Sequence, residues 1–96
     1  MRVVYSHQLG KEEARARLER IIPEMLVQYG HQVLELEYTW SGETMRYSFR
    51  AAGRNISGTL TMNESEVVLE MELPFMARPF EGSIKRRIIA GLDGLL

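Results

Sequence analysis

Apolar and polar positions change period along this chain, and each change marks an element. Residues 1–7 alternate, with Val3, Tyr5 and His7 on one parity and Arg2, Val4 and Ser6 on the other. That period of two predicts a short strand whose first set faces inward. From Gly10-Lys11-Glu12-Glu13 the spacing becomes helical, and Ala14, Leu18, Ile21, Ile22, Met25, Leu26 and Tyr29 form one apolar stripe. Acids stand in its first turn, where the helix dipole favours them, and Glu13 and Arg17 make an i,i+4 pair. Gly30 closes the helix. Pro23 conflicts with a straight helix, because it removes a hydrogen bond at a cost of ~3 kcal/mol. The expectation is a kink near Ile21 or two short helices.

From Val33 to Leu73 the period returns to two, and hairpin arithmetic tests it. A loop at Ser41-Gly42 sets Leu34 against Phe49, Leu36 against Tyr47 and Tyr38 against Met45, with Glu37 meeting Arg46 on the other face. A loop at Gly53-Arg54 sets Ala51 against Ile56, Phe49 against Gly58, Tyr47 against Leu60 and Met45 against Met62. A loop at Asn63-Glu64 pairs Leu60 with Val67, Gly58 with Leu69 and Ile56 with Met71. All three keep the apolar residues on one side, which a one-residue slip would break. Gly58 falls on that face between Phe49 and Leu69, where the Phe49 ring would cover the gap left by glycine.

Leu73 is followed by Pro74-Phe75-Met76-Ala77-Arg78-Pro79-Phe80, a loop with two prolines. A second helix is predicted from about Pro79, with Phe80, Ile84, Ile88, Ile89, Leu92, Leu95 and Leu96 at helical spacing. The order is therefore β-α-β-β-β-β-α, an α+β antiparallel sheet with both helices on one face. The N-terminal strand is placed beside the last, giving sheet order 1-5-4-3-2, with the C-terminal helix across the concave face. This arrangement resembles a trimmed helix-grip fold, a likeness that carries no function by itself.

Composition narrows the classes. The 96 residues make one domain, 45% apolar and 26% charged, as in an ordinary soluble globule. Twelve Lys+Arg against 13 Asp+Glu leave a net charge of -1, without the excess by which proteins held to nucleic acid by bulk attraction declare themselves. Ten of the cations are Arg, the better bidentate binder, although a GC-rich gene yields the same bias. Without Cys there are no disulfides, thiolate nucleophiles or cysteine zinc sites. No apolar run reaches the ~18 residues that span a bilayer, and the first residues lack a signal-peptide core, so a cytoplasmic monomer or small oligomer, including a homodimer, is expected.

Candidate chemistry is sparse. His7 and His31 are the only histidines; His7 has no carboxylate at i+3 or i+4 and His31 has only Glu35 at i+4, and they read as structural and as a solvated turn residue. Ser6 and His7 point to opposite faces, and no nucleophile elbow or phosphate loop is present. Glu35 and Glu37, like Glu70 and Glu72, share the outer sheet face with Arg46 and Arg50, the pattern of a charge-laced surface. An enzyme is not expected, nor a cofactor. Lys85, Arg86 and Arg87 raise a double-stranded RNA-binding alternative, which the extra strands and neutral charge disfavour. Phe75, Met76 and Phe80 crowd a surface loop. They either plug the end of the core at the helix entrance or, with Arg78, offer an apolar patch to a partner.

Several short motifs in order resemble one family, the small bacterial polyhydroxyalkanoic acid system, or granule-region, proteins. They are His7-Gln8-Leu9-Gly10 before Glu13-Ala14-Arg15, then Trp40-Ser41-Gly42, Phe49, Gly53 and Ile56-Ser57-Gly58. Arg78-Pro79-Phe80-Glu81-Gly82, Ile84, Ile88 and Leu92-Asp93 complete them. Glu43 and Met76-Ala77 depart from the family's usual aspartate and leucines. The resemblance implies a non-enzymatic accessory of polyhydroxyalkanoate storage, with no catalytic residue to carry over. Its partner would be the granule or a granule protein such as the synthase, through Phe75, Met76, Arg78 and Phe80. A small acyl-ligand module holding its ligand against Tyr47, Phe49 and Gly58 is the alternative, which the small core disfavours.

Overall fold

The period-two segments pair into one antiparallel sheet, and the two amphipathic segments fold over its apolar face. The structure is a computed structural model that describes residues 1–30 and 32–96, with Tyr29 as backbone alone. His31, read as a solvated turn residue, and the Tyr29 side chain of the helical stripe lie outside the described residues. Elements follow in the order β1 (Arg2–Ser6), α1 (Lys11–Tyr29), β2 (Leu34–Ser41), β3 (Thr44–Ala51), β4 (Arg54–Met62) and β5 (Glu66–Glu72). A 3-10 helix (Phe75–Phe80) and α2 (Glu81–Leu95) complete the chain. The sheet order is β1-β5-β4-β3-β2, as the pattern predicts.

The meander keeps the predicted faces but not the predicted partners. Tyr38 lies opposite Tyr47, Met45 opposite Leu60, Gly58 opposite Met71 and Leu60 opposite Leu69. Each loop sits one residue from its expected place, which moves the pairing by two and, from Glu37 onward, leaves the side chains on their own faces. Backbone sign decides the first two turns. Gly42 opens the β2–β3 turn with φ 61°, and Ala52-Gly53 form the β3–β4 turn with φ 52° and 74°, the double positive φ of a type I′ hairpin. The glycine-free β4–β5 turn closes through an Asn63 N–H donated to the Glu66 carbonyl at 2.9 Å.

One strand breaks its parity. A bulge between Leu34 and Glu37, with Glu35 at φ 54°, sets Leu34 opposite Arg50 in place of the expected Phe49. Leu34 therefore turns outward, Glu37 lies opposite Ser48, and Arg46 lies opposite Thr39.

The core is small. Val3, Ala14, Ile22, Met45, Tyr47, Leu60, Met62 and Val67 are buried, with Leu9, Leu18, Leu36, Trp40, Phe49, Leu69, Met71 and Leu96 packed around all but Val3 of these. α1 is one helix that continues through Pro23, not two short ones. Gly30 follows it with helical φ and ψ, and a Cβ there would press on the Leu26 carbonyl oxygen. α2 begins at Glu81, two residues after Pro79, because Arg78-Pro79-Phe80 complete the 3-10 turn first. It contributes no fully buried residue. Its end is tied down by the Tyr5 hydroxyl, which donates to Asp93 at 2.6 Å, and by Arg17 Nη1, which donates to the Leu95 carbonyl at 3.3 Å. The Asp93 hydrogen bond holds the Tyr5 hydroxyl above its ordinary pKa.

The sheet has two distinct ends. Ser6, Ser41, Thr44, Met62 and Glu66 lie at one; Arg2, Leu34, Ala51, Arg54 and Glu72 lie at the other. α1 leaves the first end, and its 19 residues at ~1.5 Å each span about 28 Å, enough to reach the second. The 3-10 helix follows β5 at that same second end.

Candidate docking surface

Pro74 ends β5, since it has no N–H for a strand ladder, and sits at φ -55° and ψ 149°. The chain then tightens. Ala77 N–H donates to the Pro74 carbonyl at 2.9 Å, and Glu81 N–H donates to the Arg78 carbonyl. Six residues wound this way are too few to bury a face, so their large side chains stand out. Phe75 is 81% exposed, Met76 67% and Phe80 62%. The expectation that Phe75 and Phe80 plug the core is thereby corrected, because both rings stay more than half exposed to solvent.

Two guanidinium groups lie on this tip. Arg78 stands over the Phe75 ring at 5.7 Å from its centroid, and Arg54 Nη2 donates to the Met76 sulfur at 3.1 Å. The first was legible in the sequence as a neighbour of the patch. The second was not, because Arg54 begins β4, far from Met76 in the chain, and reaches it only through the fold. Glu81 stands 3.7 Å from the Met1 ammonium at the tip's helical side.

Tyr47, Phe49 and Gly58, the ligand-facing candidates, come together as core packing. The Tyr47 ring crosses Gly58 and its hydroxyl donates to the Glu70 carbonyl at 2.8 Å. Tyr47, not Phe49, is thus the cover for Gly58, whose other neighbour is Met71, not Leu69. A Cβ on Gly58 would fall on the Glu70 carbonyl oxygen and within 2.6 Å of the Tyr47 hydroxyl. Phe49 stacks on Tyr47 with centroids 6.3 Å apart and planes 17° from parallel. Burial raises the Tyr47 hydroxyl from 10.0 to about 12. The depression that touches Tyr47 and Gly58 is otherwise lined by Met1 and Met71 together with polar residues such as Arg46, Ser57, Thr59 and Glu72, and by no residue of α2.

His7 is buried and engaged at both nitrogens. Leu9 N–H donates to Nδ1 and Nε2 faces the Asn63 carbonyl, each at 3.2 Å, which assigns the proton to Nε2. The imidazole joins the end of β1, the entry to α1 and the β4–β5 turn, a structural use. Among the described residues no three metal-ligating side chains stand together. Lys85, Arg86 and Arg87 are exposed on the first turns of α2, with Arg86 donating to Ser83 Oγ at 3.3 Å. On the outer face Arg2 meets Glu70 at 3.5 Å and Arg50 meets Glu35 at 3.9 Å.

The molecule is thus a small α+β protein whose most distinctive surface is an aromatic and thioether tip crossed by arginines. A family model described as "Putative polyhydroxyalkanoic acid system protein" matches residues 1–96, and the chain belongs to that family. No curated protein and no solved structure matches it. No helix among the described residues is long and apolar enough to cross a membrane.

Proposed function

We propose that this protein is a non-enzymatic accessory of polyhydroxyalkanoate storage. In this reading it works in the cytoplasm, docking on the granule surface or on a granule protein through Phe75, Met76 and Phe80 with Arg78. The carrying observation is that one 3-10 turn holds three large apolar side chains, each more than half exposed, in a chain whose core is small. Such side chains gain roughly 25 cal/mol per Å² of apolar area when a contact removes them from water. The family supplies the setting, and the tip supplies a contact suited to an apolar polymer or its coat.

Co-sedimentation with washed polyester granules tests it. The wild-type protein is expected to sediment with granules and to remain attached, though more weakly, at high salt. Phe75→Asp should release it while the circular dichroism spectrum and melting temperature stay unchanged. Wild-type protein left in the supernatant at low salt would overturn the proposal, and undiminished attachment of Phe75→Asp would remove the tip from it.

A further inference from the structure

Exposed apolar surface at the second end of the sheet extends beyond the 3-10 helix. Met25 and Leu26 stand three and four residues after buried Ile22, on the stripe that faces the core, yet they are 48% and 38% exposed. The last turns of α1 thus leave part of that stripe uncovered. Leu34, turned outward by the bulge, is 52% exposed at the start of β2.

Charge at this end is as telling. Arg54 and Arg78 make no ion pair among the described residues, whereas Arg2 and Arg50 at the same end each face a carboxylate, as do Arg15 and Arg17 on α1. Lys85 and Arg87, in the first two turns of α2, are likewise without a carboxylate, and Glu81 is already taken by the Met1 ammonium. Unpaired guanidinium groups laid along exposed apolar side chains suit one kind of partner, hydrocarbon beneath a layer of anionic headgroups. A folded protein partner asks for complementary shape. Here the side chains project and line neither the depression beside the start of α1 nor the one around Gly58. A soft interface accepts projecting side chains without a matching pocket.

We propose that this end of the molecule, the 3-10 tip together with the last turns of α1, inserts into an anionic lipid interface. Phe75, Met76, Phe80 and Met25 enter the acyl layer, and Arg54 and Arg78 meet headgroup phosphates. The inference deepens the docking reading and rests on it for its biological setting, but its test is separate.

The full chain is sedimented with vesicles of phosphatidylcholine alone and of phosphatidylcholine with phosphatidylglycerol. It should bind the anionic vesicles, and Arg54→Gln and Arg78→Gln should each weaken binding about fivefold. With nitroxide-bearing lipids, the Met25 and Met76 methyl NMR signals of the unmodified protein should broaden while those of buried Met45 and Met62 persist. No vesicle binding, equal binding to both vesicle types, or broadening confined to other residues would overturn the inference. Granule attachment that vanishes when granule proteins are digested away, together with no binding to anionic vesicles, would overturn it in favour of a protein partner, leaving the docking reading in place. Vesicle binding without granule attachment would keep the inference and sink the docking reading.

Discussion

Gly58 is the position where one added carbon is expected to disturb the sheet most. A Cβ there meets the Glu70 carbonyl oxygen, the Tyr47 hydroxyl at 2.6 Å and the Tyr47 ring at 2.9 Å. The ring is able to tilt, but the carbonyl is fixed in the strand backbone of β5. Forcing extra volume into such a site costs about 1–3 kcal/mol. Moving Tyr47 aside also breaks its 2.8 Å bond to Glu70, worth about 1 kcal/mol. Replacing a strand glycine returns about 0.5–1 kcal/mol of backbone entropy. Gly58→Ala should therefore lose about 1–3.5 kcal/mol, with a midpoint of ~2 kcal/mol, equivalent to roughly 10–15 °C in Tm for a domain of this size. Urea titration followed by far-UV circular dichroism measures the loss. In a Tyr47→Phe background the hydroxyl contact and its bond are already gone, so the same change should cost about 1 kcal/mol less. A Gly58→Ala protein within about 0.5 kcal/mol of wild type would refute the close approach at this strand crossing.

Three further outcomes follow from other contacts. Burial raises Tyr47 to about 12, so the unfolded chain loses its phenolic proton first as pH rises. The resulting stabilisation is complete below pH ~10 and lost between pH ~10 and ~12, on the order of 2 kcal/mol, and Tyr47→Phe should flatten that decline in alkaline denaturation curves. His7→Ala leaves the Leu9 N–H and the Asn63 carbonyl without the ring, and equilibrium unfolding should show a loss of about 2 kcal/mol. The Arg15 guanidinium lies 4.1 Å from the centroid of the Trp40 ring, so Arg15→Gln should shift Trp40 fluorescence and cost about 0.5–1 kcal/mol.

The strand faces, the element order and the 1-5-4-3-2 sheet were readable from the chain, because side-chain alternation is local and survives even shifts of register. Glu13–Arg17 was readable for the same reason, being fixed by helix periodicity alone, and it forms at 3.1 Å. The exact partners were not readable. They depend on which turn residue takes positive φ, and Ala52 takes it beside Gly53 where Arg54 had been expected in the loop. The outward turn of Leu34 hangs on a bulge at Glu35 that no glycine announces.

The docking surface divides along the same line. Sequence alone placed Phe75, Met76, Arg78 and Phe80 in a proline-bounded loop, but a hydrophobic loop residue serves equally well as a plug or as a patch. Only tertiary structure decided between them, since exposure depends on whether distant elements arrive to cover a side chain. At Phe75 none does, Arg54 arrives from another hairpin beside Met76, and Met25 and Leu26 near the end of α1 stay partly uncovered. Periodicity determines which way a side chain points; the lengths and packing of elements far apart in the chain determine what it meets there.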